Sequence, residues 1–244
     1  MSKTPQRILR ELSQPFKMNQ LEWRVQQAGV TNNKAWVRVL AYVTSRDMQQ
    51  RLDDVVGVFG WKNEFTTLPN SVGDGAMCGI SLKFDGEWIT KWNGSENTAI
   101  EAIKGGLSGA EKRAAVEWGI GRYLYDVEAM YADCLMEEDF KKLQYADKQA
   151  YEKAKTKDNQ YVYWKPPTLD PKYRPQPYAT KTIKDEIVKL CNETETDIKE
   201  LLLLHIGVDS VHDLYQNETA RVVDYLIKVK EKLQETEDGK DTNN

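Results

Sequence analysis

The adjacent pair Lys112-Arg113 is the place in this 244-residue chain where residue types and spacing could do chemistry. A guanidinium with its planar fork of donors stands beside an ammonium on a flexible stem, and together they suit a phosphate. The ordinary alternative is two solvated charges on an outward helix face, and the pattern alone leaves both open. Other cations to weigh from the residues alone are Arg46, Lys83 and Lys91. Lys83 and Lys91 fall on a candidate hairpin, where lysines commonly guard a sheet edge. Arg46 falls in the first turn of a candidate helix, where the helix dipole disfavours a cation. It therefore pairs with Asp47 or a neighbour, the commoner role, or it serves a ligand.

Other chemistries want for residues. GGLSGAEKR looks superficially like a phosphate loop, but it has no GxxxxGK[ST] arrangement and no hydrophobic strand leads into it. Cys78, Cys134 and Cys191 are too far apart for a disulfide framework or a metal spacing. His205 and His212 have no acid or cysteine cluster around them, and no GxSxG elbow is present. Apart from Glu64 and Glu87, the candidate strands are nearly free of the acids a metal-dependent nuclease would converge. The expectation is a protein that is not an enzyme and needs no metal or cofactor. A formal net charge of -4 sets up no global field for a polyanion, a weak argument against one because the charge is unevenly spread. No apolar run approaches membrane length and MSKTPQRILR has no signal-peptide core, so a cytoplasmic location is expected.

The pair must be carried by the stretch Glu96 to Asp126. At 100° per residue, Ile100, Ile103, Leu107, Ala110, Ala114, Trp118, Gly121 and Tyr125 share an arc of roughly 80°, which predicts one long helix. Gly105-Gly106 followed by Ser108-Gly109-Ala110-Glu111 could instead mark a break with a fresh capping box. A break would have reset the phase of the stripe, so the continuous helix is preferred, with its small residues admitting a close neighbour. Lys112 and Arg113 point away from the stripe, roughly 120° and 220° from Ile100.

Before this helix, residues 1–30 form an amphipathic lead-in, Trp36 to Val43 reads as a strand, and Thr44 or Ser45 caps a helix whose buried face carries Met48, Leu52, Val55, Val56 and Phe59. A meander follows: Trp61 to Leu68, a PNSVGDG loop, Ala76 to Phe84, and Glu87 to Trp92 after an Asp85-Gly86 hairpin turn. Trp88 and Trp92 share a face and are expected as core against the long helix before they are taken as base-stacking platforms. Glu137 to Lys157 reads as a charged helix. YVYWKPPTLDPKYRPQP has five prolines, which excludes a helix or interior strand and leaves a linker or a docked arm. From Thr180, three apolar helical sets predict a small helical module. The expected divisions are a core over 1–164, a proline-rich arm over 165–179, a helical module over 180–236 and a disordered tail over 237–244.

LEWRVQQAG, YVTSRDMQQRLDDVVGVFGW, CGISLKFDGEWITKWNG and KGGLSGAEKRAAVEWGIGRYLYD, in that order over about residues 20 to 126, resemble the single-strand annealing proteins of the Rad-fifty-two superfamily. The likeness is greater to the phage, Sak-type branch than to the eukaryotic one. It implies an α+β fold in which a three-stranded antiparallel meander packs on a long helix. It also implies an ATP-independent protein that forms a ring or filament, holds single-stranded DNA by its backbone in a basic groove, and anneals a complementary strand. Lys112 and Arg113 match the family's basic pair directly. The resemblance puts a further basic residue at Val116 and an arginine at Asp47, so Arg46 is expected to substitute for the latter. Lys104 and Arg122 would line the groove or a subunit interface. The helical module, outside the resemblance, is a candidate for contact with the host's single-strand binding protein. A coating protein that shields DNA without pairing it is the runner-up.

Overall fold

A computed structural model describes residues 3–67, 74–96 and 102–241, with side chains over 3–67, 74–96 and 105–235. The chain divides into two compact units. One spans Leu12–Pro175. The other joins Met1–Glu11 to Gln176–Asn244, so the first helix groups with the C-terminal helices and not with the residues that follow it.

In the Leu12–Pro175 unit, β1 (Glu22–Thr31) and β2 (Lys34–Tyr42) form an antiparallel hairpin, and β6 (Met130–Ala132) joins β2. The lead-in thus contains a strand. Asn32 and Asn33 turn the hairpin with φ of 52° and 59°, the two successive left-handed residues that a tight primed turn requires. Thr44 then caps α2 (Ser45–Val56): its hydroxyl accepts from the Asp47 N–H, and Asp47 returns a carboxylate to the Thr44 N–H. Met48, Leu52 and Val55 form its buried face, while Phe59, beyond its end, is 91% exposed.

The next three strands, β3 (Trp61–Thr67), β4 (Gly75–Phe84) and β5 (Glu87–Glu96), make an antiparallel meander turned at Asp85-Gly86. The loop expected over 69–75 lies largely outside the described residues. Against β4 and β5 lies α3 (Ala102–Glu117), continuous through Gly105 and Gly106. Close approach is built in, because Ala110, Ala114 and Ala115 are fully buried and a Cβ on Gly109 would come within 2.5 Å of Ser95 Oγ. Of the expected stripe, Ile100 and the Ile103 side chain lie outside the described residues. The helix also ends sooner than the stripe predicts. Gly119 and Gly121 adopt φ of 91° and 68°, and a left-handed residue past the last turn is the usual helix stop. Tyr125 belongs to a short 3-10 turn, Arg122–Tyr125, and is exposed.

A third sheet corrects the reading of residues 137–164. Glu137–Lys142 (α4) and Tyr145–Lys148 (α5) are short helices, followed by strands Glu152–Lys155 (β8) and Tyr161–Trp164 (β9). β9 lies between β8 and Cys134–Met136 (β7). YVYW is an interior strand because its prolines begin only at Pro166; its Val162 and Trp164 are buried with Val37, Val39 and Ala154.

The second unit packs α6 (Lys181–Glu193), α7 (Ile198–His205) and α8 (Thr219–Asp241) around Ile187, Leu202, Leu214, Val222 and Leu226. The backbone expected as a disordered tail is helical as far as Asp241, and residues 242–244 lie outside the described ones. Helix α1 (Pro5–Leu12) is tied in by Arg10, whose guanidinium donates to Glu218 at 2.5 and 2.6 Å and to the Asp213 carbonyl at 2.7 Å. Arg7 adds an ion pair with Asp213 at 3.2 Å. All seven tryptophans lie in the other unit, which separates the two optically. Arg10→Ala removes a charged donor set that is only 10% exposed, so the helical unit should lose about 1–3 kcal/mol. Hydrogen exchange over residues 176–235 should accelerate while the tryptophan fluorescence transition stays in place.

Candidate nucleic-acid interface

Two elements position the basic pair. The Ser45 and Ser108 hydroxyls lie 2.8 Å apart, which sets the first turn of α2 against the middle of α3. One turn later Glu111, only 4% exposed, accepts from Gln49 Nε2 of α2 at 2.7 Å and from Asn63 Nδ2 of β3 at 2.9 Å, both on Oε1. Lys112 and Arg113 are the next two residues, so their direction from the helix is set by this bracket. Helix α2 presents Arg46 beside Ser45.

Lys112 is half-buried, with its Nζ 5.4 Å from the centre of the Tyr42 ring. Burial, and then Arg24 nearby, hold its ammonium below the ordinary lysine range, with Glu22 opposing them. The Tyr42 hydroxyl donates to Glu22, and burial together with that bond pushes it up to about 12. A lysine held partly out of water beside another cation gains from any anion that approaches. Arg113 and Arg46 are exposed and have no hydrogen bond or ion pair among the described residues. Pairing of Arg46 with Asp47 does not occur, because Asp47 is committed to the Thr44 cap. The arrangement offers three cations, Arg46, Lys112 and Arg113, from two adjoining elements, with Arg24 of β1 close to Lys112.

The other expected site residues have different surroundings. Lys91 donates to the Glu117 carbonyl at 2.9 Å and lies 4.5 Å from the centre of the Trp118 ring. Arg122 donates to the Val116 carbonyl at 3.0 and 2.7 Å and to the Glu117 carbonyl at 2.9 Å. Both therefore close the C-terminal end of α3, where orphan carbonyls and the negative dipole end attract cations. The structure assigns them to the helix end and not to the Lys112 cluster. Lys83 is exposed, 5.9 Å from the Trp88 ring centre, on the face of the meander turned away from α3. Lys104 is in α3, but its side chain lies outside the described residues. A cleft of about 500 Å³ lined by Met18, Trp23, Tyr42, Glu22, Glu152 and Pro166 carries carboxylates, and so does not suit a polyanion.

The sequence reading missed Glu111, Arg24 and Tyr42. For Glu111 a signal was available: it lies roughly 20° past the edge of the apolar stripe, where an acid faces a core. Arg24 and Tyr42 are brought to Lys112 only by the β1–β2 pairing, in which Glu22 lies opposite Tyr42. Among the described residues no group of three or more His, Cys, Asp or Glu could hold a metal ion.

The chain matches the model of the Rad52/22 family double-strand break repair proteins over residues 4–139, more than half its length. It belongs to that family. Two curated relatives are single-stranded DNA-binding proteins DdrA, from Deinococcus deserti and Deinococcus radiodurans. They are 30% identical over 125 and 131 residues, which cover 49% and 52% of this chain. The matches span 57% and 58% of those relatives' own lengths. The family match contains α2 and α3, and with them Arg46, Lys112 and Arg113.

A phosphate contact stabilises the charged form of Lys112, so binding must take up a proton wherever the free amine is populated. With the amine's protonation range lowered, anion affinity should begin to fall, as pH rises, below the pH at which an ordinary lysine titrates. In Lys112→Arg that fall should disappear, because guanidinium stays charged throughout. Fluorescence anisotropy of a labelled single strand across the alkaline range, wild type against K112R, checks this.

Proposed function

We propose that this protein is an ATP-independent single-strand annealing protein, needing neither metal nor cofactor and performing no catalysis on its substrate. The observation that carries the proposal is the trio Arg46, Lys112 and Arg113, none paired with an acid among the described residues and all held on braced helices, in a member of a double-strand break repair family. Cations on rigid rods suit the regularly spaced phosphates of a single strand. Contacts limited to phosphates and sugars leave base edges free, which is what a pairing reaction needs. The β3–β5 meander and α3 would form the annealing core, and copies of the chain would assemble into a ring or filament to extend the groove. We place the protein in the cytoplasm of a bacterial host, as a phage-type recombinase. The helical unit is the candidate contact for the host's single-strand binding protein.

A second reading is supported by the DdrA relatives, whose name speaks of binding single-stranded DNA: a coating protein that occupies the strand and delays pairing. Complementary labelled oligonucleotides separate the two, since an annealer speeds duplex formation without ATP or metal and a coating protein slows it. Lys112→Gln with Arg113→Gln should weaken single-strand binding and reduce the slope of log affinity against log salt by about one unit per lost contact. Assembly size should not change. Wild-type affinity and slope in the double variant would remove the pair from the interface.

A further inference from the structure

The meander has a second face, and its composition differs from the one against α3. Asn63, Lys91 and Asn93 face the helix, as their side-chain bonds to Glu111 and Glu117 show, and Ile80, paired with Asn63 and Lys91, shares their face. Because side chains alternate, Lys62, Gly79, Lys83, Trp88 and Trp92 lie on the opposite side. The expectation that the two tryptophans pack against the long helix is therefore overturned. Each is 42% exposed. Trp92 lies over the backbone of its cross-strand partner Gly79, where an added Cβ would meet the indole at 2.6 Å. The indole is thus laid down on the sheet. Trp88 is flanked by cations, with Lys62 Nζ 5.4 Å and Lys83 Nζ 5.9 Å from its ring centre. Lys62 also pairs with Glu64 at 2.9 Å, and Lys83 has no acid partner among the described residues.

We infer that this outer face is a base-stacking surface for single-stranded nucleic acid, distinct in mode from the phosphate contacts of α3. The inference takes from the proposed function only that the ligand is a single strand. Exposed indoles offer sequence-tolerant stacking, because every base has a π-face, and ammonium groups beside them meet the phosphates between stacked bases. Trp88 and Trp92, four residues apart on one strand, stand about 13 Å from each other. They would therefore take bases that are not neighbours in the strand, and the Ser81–Thr90 hydroxyl pair at 2.8 Å lies between them. A second copy of the chain is a poorer occupant, since a self-complementary contact would gather the Lys62 and Lys83 ammonium groups of both copies into one patch.

The test compares binding of a dT oligonucleotide and an abasic strand of equal length to full-length protein. Trp88→Thr with Trp92→Thr should weaken dT binding about fivefold or more per indole, with abasic-strand affinity and assembly size unchanged. Trp88→Phe with Trp92→Phe should retain most of the dT affinity. In the K112Q/R113Q background dT should still quench tryptophan fluorescence, and the Trp-to-Thr changes should remove that quench whether or not the α3 pair proves to bind DNA. Ultraviolet cross-linking of dT to the wild type should yield adducts at Trp88 or Trp92, a readout independent of how the variants fold. Unchanged dT affinity, equal loss for both strands, a change of assembly size, or adducts only outside this face would each overturn the inference.

Discussion

A single buried carboxylate organises the candidate interface. Glu111 is the one acid buried among the described residues, and its Oε1 takes hydrogen bonds from Gln49 of α2 and Asn63 of β3. A carboxylate so placed is costly to desolvate unless it is hydrogen-bonded, and leaving either amide without its acceptor would be costly too. Three elements are thereby held in one arrangement. The same acid reaches the core, where burial, and secondarily Glu111, push the Cys78 thiol up to about 12. With Glu111 fixed inward, Lys112 and Arg113 have little choice of direction. The Ser45–Ser108 contact one turn away fixes the first turn of α2, and Arg46 with it.

From that constraint follows a division among the cations. Lys91 and Arg122 satisfy the last carbonyls of α3 and so maintain the rod itself. Arg46 and Arg113 have no acid partner among the described residues, and Lys112 is half-buried between Tyr42 and Arg24. Electrostatics at this scale is local: a formal net charge of -4 says little about a surface on which Arg46 and Arg113 have no counter-ion among the described residues. The proposed annealing activity uses that local surplus. It asks of the rest of the meander only rigidity, and of its outer face a different kind of contact.

What could be read from the sequence was local chemistry. The Asp85-Gly86 turn, the Thr44 cap, and the persistence of α3 through Gly105-Gly106 each depend on a few neighbouring residues or on one period, and the structure contains them. What escaped was decided by partners distant in the chain. β1 carries Glu22, Arg24 and paired glutamines, a polar run that becomes a strand because β2 lies beside it. β9 was hidden by the prolines that follow it. Trp88 and Trp92 were read as core because they share one face, whereas the register sends Lys91 and Asn93 to the helix side and leaves the indoles on the other. The early end of α3 rests on Gly119 and Gly121, and the apolar stripe had counted Gly121 as one of its own members. The first helix gave no sign that it would join the C-terminal unit, because Arg10 finds Glu218 only across 208 positions of chain.

The most direct test of the central claim is a density map of the assembled protein with a bound oligonucleotide. The account predicts backbone phosphates within hydrogen-bond reach of Lys112 and Arg113, with Arg46 on the same strand's path and Glu111 still bonded to Gln49 and Asn63. A strand that runs clear of all three cations while α3 keeps its place would contradict it.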